Sequence, residues 1–138
     1  MKHIALALTL TLFMIGTASA REFSKFSIDI PQGWNAMEEN GVVAVTAPGN
    51  EAAISIAAER MEKQSLDVVT REFSRKLGGS EPQADDQGVH TFSFTRDGVK
   101  STCFCALKDG EFLLVTVTDP TGKHTAAIQN MLSTLKKK

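Results

Sequence analysis

Two Asp-Gly pairs, Asp97-Gly98 and Asp109-Gly110, punctuate the second half of this chain. Each separates runs rich in Val, Phe, Thr and Leu. A two-residue hairpin loop needs positive φ at both central residues, and Asp-Gly accepts this at little cost. Strands are therefore expected over 89–96, 99–107 and 112–118, joined as one antiparallel meander. The same punctuation recurs upstream. Pro48-Gly49-Asn50 lies between expected strands at 42–47 and 52–59. A first strand is expected over 23–30, where Phe26, Ile28 and Ile30 alternate with Lys25, Ser27 and Asp29, the period-two pattern of a half-buried strand.

Two segments change the period from two to 3.6. Over 65–77, Leu66, Val69, Phe73 and Leu77 form one helical stripe, with Ser65 placed to cap the start and Gly78-Gly79 to end it. Over 123–136, Ile128, Met131, Leu132 and Leu135 form a second stripe, with lysines at its end suiting the helix dipole. The expected fold class is α+β: a six-stranded, mainly antiparallel sheet with two helices, in the order β-β-β-α-β-β-β-α. Val43 and Val45 alternate with Val42 and Ala44, and Leu113, Val115 and Val117 with Phe112 and Leu114. Strands apolar on both sides are covered on both sides, so one helix is expected on each face.

The start of the chain reads differently. Lys2 and His3 precede an apolar run over 4–15, and Ala18 and Ala20 have the small-x-small spacing of a peptidase site. This is the three-part pattern of a secretory signal peptide over 1–20, cut after Ala20. The run is short for a membrane span, which needs about 20 apolar residues. The remaining 21–138 is expected to form a single domain, secreted and periplasmic, with no transmembrane segment after cleavage. It carries fourteen basic against sixteen acidic side chains, without the basic excess of a nucleic-acid binder. The lysines at 136–138 read as a frayed charged tail.

The opening "FSKFSIDIPQGW" places an aromatic-led strand before a turn containing Pro31, Gly33 and Trp34. With the element order above and the closing "MLSTLK", the chain resembles the Mog1/PsbP-like superfamily, including its bacterial periplasmic DcrB-type members. The resemblance covers nearly all of 21–138. It implies an α-β-α sandwich, and binding rather than catalysis: members bind a small GTPase, dock onto photosystem components or act as secretion chaperones. It assigns no site residue here.

Cys103 and Cys105 are the only cysteines. On a strand they face the same side with Cα atoms about 6.6 Å apart. Parallel side chains at that spacing leave the Cβ atoms too far apart for a disulfide unless the strand bends. The alternatives are buried thiols, a disulfide in a distorted strand, or a soft-metal site completed by His90 or Met61. His90 alternates onto the face of Phe92 and Phe94. His124 begins the last helix, and both histidines read first as structural or surface residues. "DPTGKHT" over 119–125 imitates a phosphate loop, but Val117 stands where its first glycine belongs; the better reading is a turn with Asp119 or Thr121 as cap. Trp34 reads as a cap on the core, or as an exposed anchor for a partner.

No Gly-x-Ser-x-Gly signature or other catalytic set is present, and no cofactor is implied. The expected function is a non-catalytic protein-binding or accessory module whose partner is another protein, with homodimer formation through a sheet edge as a further expectation. The alternative is a small-ligand or soft-metal binder using a sheet–helix cleft near Cys103 and Cys105.

Overall fold

The computed structural model describes residues 18–61 and 63–138. The basic start and apolar run expected of a leader, residues 2–15, lie outside the described residues. The meander set by the two Asp-Gly pairs is present as β7 (His90–Arg96), β8 (Val99–Lys108) and β9 (Glu111–Thr118). Asp97 and Asp109 both have φ of 53°, and the following glycines have φ of 80° and 79°. These are the paired positive values the hairpin loops require.

All six expected strands form. The other three are β2 (Phe26–Pro31), β4 (Val42–Thr46) and β5 (Ala53–Arg60). Four more strands join them: β1 (Ala18–Glu22), β3 (Asn35–Glu39), β6 (Gln83–Ala84) and β10 (Lys136–Lys137). The strand count rises for one reason. Each extra strand is polar, exposed or very short, so no apolar alternation marks it, and only a neighbour's unpaired backbone recruits it. Asn40-Gly41, with φ of 54° and 80°, is the one local signal that foretells β3.

The strands form two sheets. The larger has the order β3-β4-β5-β9-β8-β7-β6, and the smaller β1-β2-β10. The first expected strand thus belongs to a separate layer. Its Phe26, Ile28 and Ile30 pack with Ile128 and Met131 of α2 (Thr125–Ser133). Together they cover Val43, Val45, Ile54 and Ile56 of the large sheet. On the opposite face, α1 (Leu66–Leu77) presents Leu66, Val69, Phe73 and Leu77 to Phe92, Cys103, Cys105 and Phe112. Phe73 stacks on Phe112 with centroids 5.8 Å apart. Ser65 caps α1 by accepting from the Val68 amide at 3.3 Å, and Gly78, at φ 71°, ends it.

Three expectations are corrected at the ends and faces. The second helix stops at Ser133, not at residue 136. The lysine tail is not frayed: Lys136 pairs with Ser27, Lys137 with Phe26, and the Lys138 amide donates to the Lys25 carbonyl at 3.0 Å. The free edge of β2 offers backbone partners that a helix end does not. Third, α1 covers only the β7-β8-β9 half of its face. Val42 is 39% exposed, and Ala44 is exposed as well. The boundary expected at Ala20 falls inside β1, where Ser19 opposes Ile30 and Ala20 opposes Asp29. Cleavage after Ala20 would leave Arg21 and Glu22 of this strand.

Candidate functional site

The helix-facing side of the large sheet is organised in cross-strand rows. One row runs Met37, Ala44, Ser55, Thr116, Cys103, Phe92. The next runs Glu39, Val42, Ala57, Leu114, Cys105, His90. Both change character at β9. The Cys half lies under α1, and the Met37 half has no cover among the described residues. Each row therefore joins a buried thiol, through half-buried Ser55 or Ala57, to exposed residues of β4 and β3.

Both cysteines are free and 0% exposed. Of the three readings open in the sequence, buried thiols is the one the structure takes. Cys103 Sγ and Thr116 Oγ1 share a hydrogen bond of 3.4 Å. Burial pushes the Cys103 thiol above its usual range, with Thr116 opposing. Burial pushes Cys105 up to about 11, opposed by the Thr70 hydroxyl and reinforced by the neighbouring Cys103. Thr70 is itself fully buried on α1, and its hydroxyl makes no hydrogen bond of ordinary geometry. A thiol is nucleophilic or metal-binding only as thiolate, so this setting suppresses both activities. His90 does stand opposite Cys105 in the ladder. Even so, among the described residues no three His, Cys, Asp or Glu side chains gather closely enough to hold a metal ion. Met61 packs against the same cluster as a half-buried apolar residue.

A second group forms where the two layers meet. Trp34 is half-buried against the core and meets His124 edge-on, with centroids 5.5 Å apart. His124 Nε2 lies 3.0 Å from Glu51 Oε1. That hydrogen bond, with the charge of Lys123 second, holds the Glu51 carboxyl below its usual range. Asp119 Oδ2 accepts from the His124 amide and the Thr125 hydroxyl, each at 3.1 Å. The expected cap is corrected here: the N-cap position is His124, without a side-chain cap bond, and Asp119 secures the start of α2 from the preceding turn because the helix begins later than the sequence reading places it. Thr121 Oγ1 accepts only from the Lys123 amide, at 3.4 Å. The group fastens the last helix to the turn after β2, and Trp34 serves that junction.

The residues that sequence patterning passed over are those of the open half-face. Met37 is 65% exposed and projects beside Val42 from the β3–β4 hairpin. Behind them Ala44, Ser55 and Ala57 make a floor without large side chains. β3 is also the outer strand of its sheet, so among the described residues its far edge has no strand partner. The isolated Met37 in a polar segment was the available signal.

With this architecture in place, the chain can be set beside known proteins. No family model and no curated protein matches it. Among solved structures, it superposes on the solution structure of cyanobacterial PsbP (CyanoP) from Synechocystis sp. PCC 6803. The TM-score is 0.56 at 12% identity, over 90% of this chain and 95% of that one. The fold is PsbP-like. A crystal structure from Bacteroides thetaiotaomicron VPI-5482 matches with a TM-score of 0.55 and 17% identity, covering 82% of this chain. The match takes in 45% of that longer protein. At these identities the likeness concerns the fold, and the same fold serves unrelated tasks.

Proposed function

We propose that this protein is an exported, non-catalytic binding module that recognises another protein through the uncovered half of its large sheet. The observation that carries the reading is the half-face itself. Its cross-strand rows are covered by α1 over the thiols, then run out from under the helix onto Ala44, Val42 and the exposed Met37. An exposed methionine beside a floor of small residues accepts an incoming apolar element with little steric demand. The free edge of β3 adds backbone donors and acceptors along one side. The resemblance to PsbP-like proteins supports binding as the mode of action, and the leader pattern supports export to the periplasm.

Site-specific photo-crosslinking in the exporting cell tests this. A photoreactive side chain at Ala44 should yield a discrete adduct with one partner, and the same group at Lys76 on the outer side of α1 should not. Met37→Glu should remove the adduct while changing stability by no more than about 0.5 kcal/mol, as for ordinary surface substitutions. An adduct of doubled mass would identify the partner as a second copy. Equal labelling from Ala44 and Lys76, or an adduct indifferent to Met37→Glu, overturns the assignment. Fractionation with intact mass then decides export: the periplasmic form should begin at Arg21.

A further inference from the structure

The second binding feature lies on the other side of the large sheet, at the end where the two sheets part. Ala58, Leu113 and Ala106 stand in one cross-strand row. Two alanines flanking a leucine leave a hollow where larger neighbours would fill the space. Phe26 from β2 and Leu135 from the segment after α2 complete its lining. The result is a cavity of about 230 Å³ with an apolar interior. Its polar groups gather among Lys25, Lys108, Lys137 and Glu111.

The charges have a definite balance. Lys25 Nζ donates to the Ala58 carbonyl at 3.0 Å, and Lys137 Nζ to the Lys108 carbonyl at 3.4 Å. An ammonium has three donors, so each retains capacity beyond these bonds. Among the described residues, none of the three lysines meets a carboxylate within ion-pair distance. Glu111 is the one acid in the lining, and it faces Arg60 at 3.9 Å. Three lysines therefore line an apolar hollow whose one acid, Glu111, stands between Arg60 and Lys108 in the ladder.

We propose that this cavity binds a free single-chain anionic amphiphile of the fatty-acid class. The chain enters between Phe26 and Leu113, and the carboxylate stays among Lys25, Lys108 and Lys137. The apolar interior supplies affinity by removing the chain from water, and the lysines select the sign of the head. A cavity of this volume has room for one short chain and not for a two-chain lipid. The site is separate from the Met37 face, because Ala106 and Cys105 point to opposite sides of β8.

The test uses the chain from Arg21 to Lys138, titrated with decanoate, with decanol as neutral control, and followed by amide chemical shifts. Decanoate should bind saturably, with the largest shifts at Ala58, Ala106 and Leu113, and should weaken as salt is raised. Decanol should bind about two- to fivefold more weakly, as expected when about one exposed charge interaction is lost. Joint substitution Lys25→Gln, Lys108→Gln and Lys137→Gln should reduce decanoate to the level of decanol and leave decanol unchanged. Ala106→Leu should fill the hollow and weaken both ligands. If that variant does not fold, the surface lysine series still decides. Equal binding of the two ligands, shifts centred elsewhere, or indifference to the lysine substitutions overturns the proposal. So does binding to phosphatidylglycerol vesicles without binding to decanoate, which would make the lysines a membrane-contact patch.

Discussion

Thiol chemistry offers the sharpest test of the interior. Treat the native protein with iodoacetamide at pH 8 and follow its intact mass. With Cys105 pushed from 9.0 to about 11, its thiolate fraction falls about a hundredfold, from about a tenth to about a thousandth. Access sets a separate limit. Both sulfurs have zero exposure, so the reagent reaches them only when α1 lifts or the domain opens. A domain stable by about 5 kcal/mol is open about one part in several thousand. Alkylation should therefore be at least about a hundredfold slower in the native protein, and two additions should appear promptly in denaturant. Modification at the unfolded rate in native buffer refutes the reasoning, as does a mass about 2 Da low from a disulfide. The same shift has a pH consequence. Between the unfolded value of 9.0 and about 11, the native state holds a proton that the unfolded state has released. Stability is then complete below pH 9 and falls as pH rises through the folded value, by about 3 kcal/mol for this group. Cys105→Ala should reduce that alkaline decline to the part contributed by the raised Cys103 thiol, although the variant begins less stable because of the cavity it leaves.

Two further outcomes follow from close contacts at the edges of the layers. A Cβ on Gly79 would lie 2.9 Å from both Ser74 Oγ and the Ser93 carbonyl oxygen and 3.0 Å from Phe92, so Gly79→Ala should lower stability by about 1–3 kcal/mol in urea unfolding; a neutral result would show that α1 is not tightly clamped to β7. A chain beginning at Arg21 loses the Ala18–Pro31, Ser19–Ile30 and Ala20–Asp29 pairings. Its thermal midpoint should fall below that of a chain beginning at Ala18 by an amount corresponding to about 1 kcal/mol, and equal midpoints would show that β1 adds no stability.

The regular elements were readable because their signals are local. Asp97-Gly98 and Asp109-Gly110 demand a backbone conformation that few other pairs accept. The Leu66, Val69, Phe73, Leu77 stripe needs only helical periodicity to place it. The parity of Cys103 and Cys105 on one strand, and of His90 with Phe92 on another, followed from side-chain alternation, whereas the pairing of His90 with Cys105 needed the strand register. Their burial did not, since alternation distinguishes two faces without saying which element covers either.

The candidate sites lay further from local pattern. Met37 was hidden in a polar strand, and its exposure depends on α1 stopping short of β4. The lysine-rimmed hollow joins Lys25, Ala58, Ala106, Leu113 and Lys137, residues that no sequence window contains together. The tail over 136–138 is equally instructive. Three lysines after a helix suit the helix dipole, yet Lys136 and Lys137 lie as a strand because β2 presents an unpaired edge. Local propensity and turn chemistry thus determined the meander, both helices and the fold class by themselves. Tertiary structure alone decided which faces are covered, whether the thiols meet solvent, and where the lysines point. Those outcomes depend on competition between distant surfaces for the same burial and the same backbone partners, and no residue carries that competition in its own sequence neighbourhood.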